Sequence, residues 1–198
     1  DSTCANKPTE MWVSKRDLTN DEELPGTTLA IKDTDGNTVT TWVSTDEPHR
    51  VTGLHFGEAY TLTEIRAADG YALADDITFR LIQKVDEDGN PLEECEVYYL
   101  TTTNILFWKW DDWKLLGDAT VIMRDDITKV QISKKDLTTK EELPGAELTL
   151  IDEKGSEIDR WVSTDAPHYM ERLPAGKYTL TEVTAPDGYA IAERAEFE

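Results

Sequence analysis

A lysine, a glutamate and an aspartate fall where strand alternation predicts apolar neighbours. In "MWVSKRD", residues 11–17, an extended backbone sends Met11, Val13 and Lys15 to one face and Trp12, Ser14 and Arg16 to the other. In "AYTLTE", residues 59–64, Glu64 shares its face with Tyr60 and Leu62. In "TVIMRD", residues 120–125, Asp125 shares its face with Val121 and Met123. Burying an unpaired charge costs several kcal/mol, and a buried ion pair commonly fails to recover its desolvation. Two arrangements accommodate such residues. One is a cluster of ion pairs. The other removes the charges: Lys15 Nζ attacks the Asp125 carboxyl carbon, an amide forms and water leaves. Apolar surroundings favour the neutral forms of amines and carboxylic acids. A neutral Lys15 is then the nucleophile, and a protonated Glu64 donates to the Asp125 carbonyl, steadies the developing oxyanion and relays protons to the leaving oxygen.

The segments that must position these residues occur twice. "SKRD" at 14–17 is matched by "SKKD" at 133–136, "EELPG" at 22–26 by the same letters at 141–145, and "WVSTDEPH" at 42–49 by "WVSTDAPH" at 161–168. "YTLTE" at 60–64 recurs at 178–182, and "DGYALA" at 69–74 recurs as "DGYAIA" at 187–192. Two copies of one unit follow from this order. The alignment sets Lys134 and Glu182 against Lys15 and Glu64, and Asn6 against Asp125. Short alternating runs such as "TTLAIK" and "DITFRLI", broken by Gly, Pro and Asp turns, predict an all-β chain of tandem β-sandwich domains. Residues 1–10 read as the closing strand or linker of a preceding repeat and 11–126 as a complete domain with an irregular insertion at about 83–118. Residues 127–198 read as a second domain lacking its closing strand.

The order "SKxD", "ELPGA" (142–146), "WVSTD", "YTLTEVTAPDGY" (178–189) and "MRD" (123–125) resembles the Cna B-type, SpaA-like domains of Gram-positive surface adhesins and pilins. The resemblance covers 11–126 and 127–198; the first copy departs from the stretch "YTLTEVTAPDGY" with "AADGY", which touches no reacting residue. It implies an Ig-like or transthyretin-like (prealbumin-like) sandwich with an autocatalytic isopeptide bond from lysine to Asn or Asp beside a catalytic glutamate. Carried over by position, Lys15 and Asp125 are the bonded pair and Glu64 the catalyst. In the second copy Lys134 and Glu182 match, and Asn6 matches the acceptor of a preceding copy. The implied role is a structural stalk module on a bacterial surface, extracellular and wall-associated, partnered by neighbouring repeats of its own polypeptide. It acts on itself once and is no enzyme. Lys134 and Asn6, both without a bonding partner in their own copies, also suggest a donor-strand contact in which residues 1–10 of one chain reach Lys134 of another.

Charge narrows the alternatives. With 41 acidic against 20 basic residues the chain carries a net charge of −21, which opposes nucleic acid and anionic lipid. No apolar run has the length of a membrane span. "KDTDGN" at 32–37 and "VDEDGN" at 85–90 resemble calcium loops but lack the closing glutamate, and "DEKGSE" at 152–157 places Lys154 in the series, so hairpin turns are expected, with no metal and no cofactor. Cys95, alternating with Val97 and Tyr99, is expected to be a buried apolar residue rather than half of a framework with Cys4. His49 and His168, in matching "STDxPH" segments, are expected to cap turns or lie on the surface. "LFWKWDDWKLL", residues 106–116, offers the rival function. Trp108, Trp110 and Trp113 either pack the insertion onto the sandwich or stack on sugar rings, making the chain an adhesin module for a host glycan or extracellular-matrix protein.

Overall fold

The computed structural model describes residues 8–105 and 108–198. They form an all-β chain that divides into two compact units, Asp1–Ala68 with Ala72–Asp126, and Asp69–Tyr71 with Ile127–Glu198.

The first unit contains β1 (Glu10–Asp17), β2 (Thr28–Lys32), β3 (Thr38–Val43), β4 (His49–Thr52), β5 (Ala59–Arg66), β6 (Ile77–Val85), β7 (Pro91–Ile105), β8 (Trp108–Asp118) and β9 (Thr120–Asp125). Two sheets result, ordered β4-β1-β9 and β3-β2-β5-β6-β7-β8. β1 and β9 run parallel with Lys15 opposite Met123 and Asp17 opposite Asp125. Lys15 and Asp125 are therefore diagonal neighbours on one face, within reach of a long side chain. Between the sheets lie Met11, Val13, Leu29, Ile31, Leu62, Phe79, Leu81, Val97, Val121 and Met123, each at most 2% exposed. Cys95 joins this core at 6% exposure.

The described residues of 83–118 are not irregular. β7 and β8 pair antiparallel along most of their lengths and extend the larger sheet beyond the sandwich, with one register shift opposite Val97 and Tyr98. The hairpin turns at Asp33, Asp86 and Asp152 share one device: the carboxylate accepts backbone N–H groups from two and four residues on, as from Asp35 (3.0 Å) and Asn37 (2.8 Å) to Asp33.

The second unit contains β10 (Lys129–Ile132), β11 (Glu147–Asp152), β12 (Glu157–Val162), β13 (His168–Glu171), β14 (Tyr178–Thr184) and β15 (Ala195–Phe197), in sheets ordered β10-β13 and β12-β11-β14-β15. Its core gathers Leu150, Leu173 and Tyr178 with Val130, Trp161 and Phe197. The tripeptide 69–71 departs from the boundary read in the sequence and belongs to this unit: Thr128 N–H donates to Gly70 O (3.0 Å) and Arg172 Nη1 to the Tyr71 hydroxyl (3.0 Å).

Candidate functional site

β5 and β9 alternate buried and more exposed residues, and on each the buried series ends in a carboxylate; on β1 the inward series Met11, Val13 and Lys15 runs on to Asp17, and Ser14 between them is buried as well. Lys15 and Asp125 are 1% exposed and Glu64 is 9% exposed. Lys15 Nζ contacts Asp125 Oδ1 and lies 3.5 Å from Glu64 Oε2. The Ala74 backbone N–H donates to that same Glu64 oxygen at 2.6 Å.

Burial is the main cause that pushes the Glu64 carboxyl up to about 7; the Ala74 hydrogen bond and the Lys15 charge oppose the shift, and Asp125 reinforces it. One oxygen of each carboxyl, Glu64 Oε1 and Asp125 Oδ2, has no donor among the described residues. A single proton on Glu64 supplies the donor that joins these two groups. Amine, carboxylate and acid thus meet in one water-poor space, with the amine in contact with the carboxylate.

Loop residues lock the strand that carries the lysine. Beyond Val13, β1 loses β4 as a neighbour and the segment after it takes over: Leu24 N–H donates to Lys15 O (2.7 Å), Lys15 N–H to Glu23 Oε2 (3.2 Å), and the Ser14 hydroxyl to Glu23 Oε1. Ser14 is fully buried although it sits on the outward face, because Glu23 covers it. Ser44 Oγ accepts from Thr27 N–H (2.9 Å) and donates to Leu24 O (2.6 Å), tying that segment down; Ser163 does the same for Ala146 and Leu143. The recurrence of "ELPG" and "WVS" is the only sequence sign of this arrangement.

In the second unit Lys134 Nζ lies 3.3 Å from Glu182 Oε1, out of line for a hydrogen bond, and Ala192 N–H donates to Glu182 Oε2 at 2.5 Å. Lysine, glutamate and amide therefore recur, with the Lys134 side chain more open at 17% exposure against 1% for Lys15. Among the described residues no third carboxyl or amide side chain pairs with Lys134, and β10 has β13 as its sole strand neighbour. Asn6 and Cys4 lie outside the described residues.

The tryptophans do not make one platform. Trp110 is 48% exposed, while Trp113, three positions on and so on the other face of β8, lies under the Arg80 guanidinium at 4.3 Å. The Trp108 side chain lies outside what is described. His49 and His168 are not turn caps: each opens a strand and stacks on a tryptophan, His49 on Trp42 at 4.4 Å and His168 on Trp161 at 4.2 Å.

Among solved structures the chain is similar to the shaft pilin SpaA of Lactobacillus rhamnosus GG, at 15% identity over 97% of this chain and 93% of that one, with a TM-score of 0.41. It is also similar to a Streptococcal ancillary pilin (18% identity, 96% and 58% coverage, TM-score 0.37). A third is the C-terminal fragment of the pilus adhesin SpaC of Lactobacillus rhamnosus GG (19% identity, 92% and 78% coverage, TM-score 0.34). Comparison with curated protein sequences gives no match. The family model of the SpaA prealbumin-like fold domain, in contrast, matches residues 9–89 and again 128–198, most of the length of both copies, and the chain belongs to that family.

Proposed function

We propose that this chain is a load-bearing module of a Gram-positive surface protein, a pilus subunit or adhesin stalk, whose first unit closes itself with an amide between Lys15 and Asp125. The observation that carries the reading is the contact of Lys15 Nζ with a carboxylate on a strand 110 residues away, both buried, beside an acid whose carboxyl is pushed up to about 7. In the reaction the Lys15 ammonium gives a proton to Asp125, and the freed amine adds to the Asp125 carboxyl carbon. Glu64 donates its proton to the oxygen that becomes negative and takes one back from the nitrogen. One oxygen then leaves as water, so ammonium plus carboxylate become amide plus water with no other reactant. Glu64 ends as it began, and the reaction runs once per chain.

Family membership and the burial of three ionisable groups support this reading over an ion-pair cluster, which would retain two charges inside an apolar core. The test is intact-mass measurement of the chain beside Lys15→Ala and Glu64→Ala. The wild type is expected to weigh one water less than its sequence and each variant to match its own sequence. A wild type at full sequence mass would sink the cross-link.

A further inference from the structure

β8 is the outer strand of the six-stranded sheet, and among the described residues it pairs with β7 on one side and with no strand on the other. Eleven residues of open edge is long, since natural sheets keep their edges short, kinked or covered. Trp110, Leu115 and Leu116 on it are 48%, 54% and 38% exposed. The strand carries two lysines and three aspartates, so its own charge is −1 within a chain of −21. A partner that adds to this edge meets little local repulsion.

The strand's sequence specifies that partner. Two antiparallel copies related by a two-fold axis keep their side-chain faces aligned only if one residue lies opposite itself. Trp113 is the middle residue of Trp108–Asp118, and centring the axis there overlaps the whole strand. That register sets Asp112 of each copy opposite Lys114 of the other, twice over, and Asp111 opposite Leu115. Moving the centre by one residue in either direction sets Asp112 against Asp112 or Lys114 against Lys114. The register shift near Leu116 falls outside the central residues 111–115. We propose that β8 is a self-association edge that joins two copies of this chain through a continuous antiparallel sheet, with the paired Asp112–Lys114 charges selecting the register.

Sedimentation equilibrium of the whole chain over a concentration series tests this. The wild type is expected to approach the mass of two chains. Asp112→Lys and Lys114→Asp, each of which places like charges opposite one another twice, are expected to weaken association about tenfold or more. An equimolar mixture of the two variants restores opposite charges at both contacts, so it is expected to dimerise, which also shows that each variant is folded. A wild type that stays monomeric at every concentration overturns the proposal. So do single variants that associate as well as the wild type, or a monomeric wild type that binds a glycan array through this strand.

Discussion

Glu64 sets when the proposed chemistry can occur. Lys15 and Asp125 exchange a proton between themselves without net uptake, so the pH dependence of the reaction follows the acid beside them. Because burial pushes the Glu64 carboxyl up to about 7, it is the proton donor below that value and a carboxylate above it. In chain freshly made by cell-free synthesis and sampled for intact mass over time, the rate of water loss is expected to be level below pH about 7. Above it the rate falls about tenfold per pH unit; a rate that rises through this range excludes Glu64 as the donor. The same shift has a stability counterpart before cross-linking. The folded chain holds a proton that an unfolded glutamate, at its ordinary value of 4.5, has released. The stabilisation is complete below pH 4.5 and is lost as pH rises through about 7. The inward direction of Lys15, Glu64 and Asp125 was legible in sequence because alternation of period two leaves no freedom once one face is apolar. The Ala74 amide that holds Glu64 was not legible, since a backbone donor carries no side-chain signature.

At the scale of elements, the segment between β1 and β2 substitutes for a missing strand neighbour, and Ser44 is its anchor. Its hydroxyl both accepts from Thr27 and donates to Leu24, whose own N–H holds Lys15 O. Ser44→Ala leaves a buried N–H and a buried carbonyl without that partner, a cost of about 1–3 kcal/mol. Urea unfolding in a Glu64→Ala background, where no amide conceals the loss, is expected to show a lower midpoint at unchanged slope; an unchanged midpoint removes Ser44 from this role. Turns and short strands were legible from Asp-Gly pairs and alternation, yet the sequence of the β7–β8 hairpin predicts an irregular insertion. The reason is physical. The hairpin runs past the edge of the core, so neither face of β8 is consistently buried, and adjacent pairs such as Asp111–Asp112 and Leu115–Leu116 break the period of two that burial would otherwise impose. The Trp–His stacks have no sequence signature for a related cause: cross-strand neighbours depend on register, which a single strand's pattern does not contain.

For the whole molecule, the position of the proposed bond in the chain matters more than its equilibrium contribution. An amide between residues 110 apart removes loop freedom from the unfolded first unit, worth about 4.7 kcal/mol for a loop of about 100 residues in the chain-entropy model. Under tension the effect is absolute rather than incremental. Force entering near β1 passes through the Lys15 side chain to Asp125 and leaves through β9, so the residues between them bear no load. Pulled in an optical trap, the uncross-linked Glu64→Ala chain is expected to release the enclosed segment, a span of 110 residue steps from Lys15 to Asp125, as a step of roughly 360–400 Å when the first unit yields. The wild type is expected to lack that step while the second unit, with Lys134 and Glu182 unaltered, unfolds in both chains as an internal control. Appearance of the long step in wild type of confirmed water-loss mass would mean that the amide joins other residues than Lys15 and Asp125, and peptide mapping of the same sample locates them.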